Sequence, residues 1–197
     1  YPLGFDASLE LPNTDNKLTR AEFLVNGTSV GTISPSRTST AVYYDLTTNE
    51  VHVIPGQQLS AKLSYKGTIP HVYFYVDFNQ DGQFAATLDA NDMPTLSGEL
   101  VSYTYVNGKN SLGEASAIDA EASALPEFTI PAVLPTGVYR ARLKVDYDNT
   151  EPAGSTTINV ANGSVIDFLL NVHNEKTGDY DCALVVNGKD IVIDGVK

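Results

Sequence analysis

Asp77, Asn79 and Asp81 place three oxygen-bearing side chains at alternate positions of one short stretch, Asp77-Phe78-Asn79-Gln80-Asp81-Gly82. This is the spacing of the first residues of a calcium loop, where alternate side chains converge on one ion and glycine permits the sharp bend. The glutamate that should close such a loop is missing. Leu88 stands in its place and Asp89, one position later, is the candidate substitute. Without that bidentate glutamate and without flanking helices the site is partial, and Ca2+ there would be structural. The same residues suit an Asx turn closed by Gly82 with no metal, because Asp and Asn side chains accept hydrogen bonds from amides just ahead of them. The sequence leaves both readings open and implies no other cofactor.

The remaining reactive side chains argue against catalysis. His52, His71 and His173 are scattered, and none lies in a nucleophile motif. Cys182 has no Cys-x-x-Cys partner, which disfavours redox chemistry and zinc. A glycoside hydrolase, the remote alternative, needs a carboxylate pair, usually with sugar-stacking rings; Trp is absent, and Tyr103 and Tyr105 fall in a strand pattern on the face of Val101. Tyr43-Tyr44 are the glycan-binding candidates, since neighbouring strand residues point to opposite faces and one ring should reach the surface. Packing of that ring under a loop is the competing expectation.

Composition narrows the setting. Twelve Lys and Arg against twenty-four Asp and Glu give a net charge of −12, which disfavours nucleic acid and anionic lipid as partners. A single cysteine allows no intrachain disulfide, so the chain fits a bacterial exported protein better than a disulfide-built eukaryotic one. It starts at Tyr1, with no signal-like apolar region and no apolar run long enough to span a membrane. The expectation is a mature or excised segment, secreted or at the cell surface.

Strands must position these residues, because apolar alternation of period two recurs throughout. In Tyr139-Arg-Ala-Arg-Leu-Lys-Val-Asp-Tyr147, the residues Tyr139, Ala141, Leu143, Val145 and Tyr147 face a core, and Arg140, Arg142, Lys144 and Asp146 are expected in water. Val72 to Val76 is apolar on both faces, as a central strand covered on each side would be, and runs into the acidic loop. Further strands are expected at Ala21 to Val25, Ala41 to Leu46, Leu59 to Tyr65, Leu100 to Val106, Glu127 to Ile130, Ser164 to Val172 and Ala183 to Val186. Asn26-Gly27, Asn107-Gly108 and Asn187-Gly188 read as tight hairpin turns. Ser111 to Ala124 suits a surface loop or a short helix. Together these predict an all-β, two-sheet sandwich, immunoglobulin- or jelly-roll-like, over residues 1–174. Residues 175–197 form a hairpin that extends it or leads to a further domain.

Four motifs then resemble the GEVED domain family in order and spacing. They are Tyr75-Val-Asp-Phe-Asn-Gln-Asp-Gly-Gln-Phe84, Phe128-Thr-Ile-Pro131, Pro135-Thr-Gly-Val-Tyr-Arg-Ala-Arg142 and Gly163-Ser-Val-Ile-Asp-Phe168. The resemblance covers roughly Leu18 to Asn174; the closing motif departs from it, with Ser164 and Ile166 where the family has two Glu. It implies a surface accessory module of a large exported protein rather than a catalyst, and carries over no ligand. Beside it, the residues themselves leave adhesion or carbohydrate binding, with a glycan or surface protein as partner, as the expected role. A spacer that positions a neighbouring domain is the alternative. Where Asp167 or Asp146 approaches Asp77 and Asp81, a calcium ion or one of Arg140 and Arg142 is expected between them, with arginine favoured.

Overall fold

The computed structural model describes residues 1–10, 17–36, 38–66, 71–96, 98–116, 124–146, 154–158, 163–174, 185–187 and 190–192. Within them the chain is all strand and turn. Strands β1 (Lys17–Val25), β2 (Thr28–Ile33), β3 (Tyr43–Val53), β4 (Gln58–Lys66) and β5 (His71–Val76) come first. Then follow β6 (Thr87–Leu88), β7 (Pro94–Thr95), β8 (Leu100–Tyr103), β9 (Ala124–Thr129), β10 (Gly137–Asp146), β11 (Ser164–Val172), β12 (Val185–Asn187) and β13 (Asp190–Val192). Asn26 and Gly27 join β1 to β2 with φ of 49° and 78°, the positive pair that a type I′ turn requires. Asn107 and Gly108 repeat it at 47° and 80° between Val106 and Lys109, and β12 and β13 pair around Asn187.

Two sheets face each other, one ordered β2-β1-β4-β9 and the other β3-β11-β10-β5-β8. Their pairings are antiparallel except for β3 and β11, which run parallel. Phe23 of β1 reaches across the interface to Phe74 of β5 and Phe168 of β11, each at a ring-centroid distance of 5.3 Å. Ala21, Leu59 and Leu63 fill the first sheet's share of this core; Val51, Leu143 and Leu170 fill the other's. The sandwich closes at both sides. Gly31 of β2 sits against the Val51 backbone of β3, and Ser102 of β8 donates to the Pro126 carbonyl of β9 at 2.8 Å.

The structure corrects the expected orientation of β10. Arg142, Lys144 and Asp146 are not in water but fully buried, because the far face of the five-stranded sheet carries a second layer. That layer contains Tyr73, Tyr75, Phe84, Leu100, Tyr103 and Val106, and the segments around Pro2 and Ser155 also close over it. A register shift where β8 meets β5 also separates Val101, in the main core, from Tyr103 in this second layer, so the two do not share a face. Residues 111–116 form turns without a helix; the rest of the segment before Ala124, together with Tyr147, Cys182, Ala183 and Gly188, lies outside the described residues.

A Cβ at Gly31 would stand 2.8 Å from the Val51 Cα and 3.0 Å from the Glu50 carbonyl, both backbone atoms. Gly31→Ala should therefore lower stability by about 1–3 kcal/mol in urea unfolding, as overpacking does; an unchanged midpoint would mean that the β2 edge is not closed on β3.

Candidate functional site

The end of β5 is held on both sides. The Val76 amide donates to the Glu99 carbonyl at 2.8 Å and the Asp77 amide to the Arg140 carbonyl at 3.0 Å. Asp77 is thereby drawn out of solvent at the point where the chain must turn. Its carboxylate accepts the Tyr1 hydroxyl at 2.7 Å, the Asp81 amide at 3.2 Å and the Gly82 amide at 3.0 Å. Asn79 Oδ1 accepts the Asp81 amide at 2.8 Å, and Asp81 accepts the Gln83 amide at 2.9 Å and Asn79 Nδ2 at 3.2 Å. Gln80 and Gly82 take φ of 58° and 84°, which explains a glycine at the close. The arrangement is an Asx-type loop whose acids are satisfied largely by its own amides.

The geometry adds a residue that spacing alone did not suggest. Asp77, Asp81 and Glu99 each offer an oxygen within 4.8 Å of the others, a spacing that suits a hard cation. Glu99 precedes β8, and only the pairing of β8 with β5 brings it there; no short-range signal could have found it. Asp89 is elsewhere, accepting the amides of Asn91 at 2.7 Å and Met93 at 3.0 Å in an exposed turn. Glu99 in turn accepts the Ala85 amide at 2.6 Å and the Asn79 amide at 3.5 Å. Burial raises its pKa, the two amides oppose the rise, and the charges of Asp77 and Asp81 reinforce it.

Arginine stands beside Asp167 rather than between the loop carboxylates. Arg142 and Asp167 are cross-strand partners and form a fully buried fork, Nε to Oδ1 at 2.7 Å and Nη2 to Oδ2 at 2.9 Å. Arg142 Nη1 donates to the carbonyls of Pro2 at 3.0 Å and Ser155 at 3.2 Å, and its guanidinium carbon lies 4.7 Å from the Phe84 ring centre. Arg140 donates to Asp167 at 3.0 Å and to the Tyr43 hydroxyl at 3.0 Å, and lies over the Tyr1 ring. Burial alone would lower the Arg140 pKa; the Asp167 carboxylate outweighs it, and the net shift is upward. Asp146 pairs in register with His71, at the far end of β5 from the loop, so it does not approach Asp77.

The tyrosine pair divides between the core and the arginine network. Tyr44 is buried in the main core with its hydroxyl 2.6 Å from Lys17 Nζ. Tyr43 is half-buried, and its hydroxyl joins Arg140 and Asp167. Beside the acidic loop, however, lies an open groove of about 680 Å3, lined by Phe78, Asn79, Leu96, Glu99, Val101, Leu112, Glu127, Phe128, Thr129 and Pro131 among others.

Three tests follow from this geometry. Arg142→Met should cost about 3–5 kcal/mol in chemical unfolding, because it strands a buried carboxylate. Adding Asp167→Leu should recover the part owed to that charge, while the Pro2 and Ser155 carbonyls stay without their donor. Protonated Glu99 favours the folded chain, so its contribution is full below 4.5, the value of an unperturbed glutamate, and is lost as pH rises through the higher folded value. The melting-temperature difference between wild type and Glu99→Gln should therefore move against wild type as pH rises from 4.5; Asp45 and Asp89, both lowered from 3.8, do not titrate in that window. Calcium removal by EDTA should leave the melting temperature unchanged, since amides and Tyr1 already serve the loop. A cation present at about 100 times its Kd would add about 2.7 kcal/mol, a rise that differential scanning calorimetry would detect.

No curated protein matches the chain. The sequence model of the GEVED domain matches residues 71–171, just over half of the chain, from β5 through β11. That span holds the acidic loop, Glu99, both arginines of β10 and Asp167, while β1 to β4 precede it. By this match the chain belongs to the GEVED domain family.

Proposed function

We propose that the chain is a non-catalytic adhesion module of a larger exported bacterial protein, and that it holds its partner in the groove beside the acidic loop. The groove is the observation that carries this reading. Leu96 and Leu112 are 43% and 57% exposed and project at its rim, while half-buried Phe78 and Phe128 line its wall. Exposed apolar side chains gathered in one concavity with a few polar groups mark an interaction site more often than a bare surface.

Adhesion is preferred to sugar binding because Tyr43 and Tyr44 are engaged in the arginine network and the core. The non-catalytic reading draws support from the histidines: His71 lies against Tyr105 with ring centroids 4.9 Å apart, and His52 against His173 at 5.8 Å, both pairs tilted. An extracytoplasmic setting rests on the acidic composition, the single cysteine and the family's occurrence in exported proteins.

Screening a displayed peptide library and a glycan array against wild type and Leu112→Arg tests the reading. Wild type should enrich ligands that the variant binds at least about tenfold more weakly, a difference of about 1.4 kcal/mol. Flat profiles for both proteins would favour the spacer role.

A further inference from the structure

Taking the groove as the partner site, we propose that its occupant is an extended peptide segment bearing Lys or Arg, added as a strand along the outer edge of β9. Two independent features lead there.

The first is the edge. Among the described residues β9 pairs only with β4 and ends its sheet. At its exit Ile130 turns both main-chain groups toward the β4 side, its amide donating to Gln57 at 2.8 Å and its carbonyl accepting from Gly56 at 3.0 Å. Antiparallel alternation therefore turns the N–H and C=O of Thr129 away from β4 and into the groove. Upstream the edge is stopped: Pro126 has no N–H, and its carbonyl is taken by Ser102. A short free edge above a groove is the geometry of strand addition, with main-chain hydrogen bonds for affinity and alternate pockets for side chains.

The second feature is charge. Glu99 and Glu127 line the groove, Asp77 and Asp81 adjoin Glu99, and no Lys or Arg is among the lining residues. An extended peptide presents alternate side chains to opposite faces, so apolar ones meet Phe78, Phe128 and Leu112 while basic ones meet Glu127.

The experiment measures fluorescence anisotropy of a labelled Lys-Val alternating hexapeptide with the full chain. Its controls are a Glu-Val counterpart and a copy N-methylated at alternate amides. Binding of the Lys-Val peptide is expected, weakened at least about tenfold by Glu127→Lys and by about 0.5 M salt. The Glu-Val and N-methylated peptides are expected to bind at least about tenfold more weakly. Glu127 is exposed, so an unchanged melting temperature shows that its variant remains folded. Equal binding of the N-methylated copy overturns strand addition, and equal binding of the Glu-Val peptide overturns the charge argument. Peptide failure beside a Leu112-dependent glycan hit overturns the peptide and keeps the groove; failure of both removes the groove as a partner site.

Discussion

Among the described residues, the buried fork between Arg142 and Asp167 is the interaction on which most of the outer layer depends. Two charges taken out of water are tolerable only when every remaining donor and acceptor is met, because desolvation costs several kcal/mol per ion. Asp167 uses both oxygens on Arg142 and receives Arg140 as well; Arg142 spends its third nitrogen on the Pro2 and Ser155 carbonyls. Meeting those demands recruits chain that a simple sandwich would not need. Residues around Pro2 and Ser155 are drawn over the outer face of the five-stranded sheet, and Phe84 lies against the guanidinium. The outer face thus becomes a second interior, deep enough to bury Lys144 and Asp146.

The acidic loop inherits its shape from this layer. Tyr1 packs on Phe84 at 5.1 Å, lies under Arg140, and from there donates its hydroxyl to Asp77. Burial, then the hydrogen bond to Asp77, raises the Tyr1 pKa, so the phenol stays protonated and stays a donor. A loop that resembles an ion site in isolation is, in place, also a turn whose buried acid accepts two backbone amides and a tyrosine hydroxyl. Loss of the arginine fork would propagate through Phe84 and Tyr1 to the loop without touching any of its residues.

Much of this was readable in the residues, and the failures share one cause. Alternation along Tyr139 to Asp146 identified which side chains share a face, and the uniformly apolar Val72 to Val76 announced a strand covered on both sides. Positive-φ turns were legible at Asn26-Gly27 and Asn107-Gly108 because their requirement is local. Polar residues on one strand face, however, look the same whether water or a satisfied second layer covers them. Nothing near Arg142 in sequence announces Pro2, Phe84 or Ser155. Glu99 escaped for the same reason, since its place beside Asp77 depends on strand pairing rather than spacing. The departure in the closing motif does have a local reading. Ile166 lies in the main core and Ser164 is buried, so carboxylates there would be stranded, whereas Asp167 faces the arginines and is retained.

This division between served and unserved groups also bears on where a partner meets the protein. The carboxylates of Asp77, Asp81 and Glu99 point mostly at amides of their own chain, so in the absence of a cation they offer a partner charge at a distance rather than open hydrogen-bonding sites. On the proposed reading, contact comes from groups the fold leaves uncovered. Beside the loop these are the rims at Leu96 and Leu112, the Glu127 side chain and the outward main chain of Thr129. The loop's charge reaches the same groove through Glu99, which lines it. On the proposed reading the conspicuous motif acts as architecture and electrostatic background, and recognition is assigned to the ordinary edge next to it.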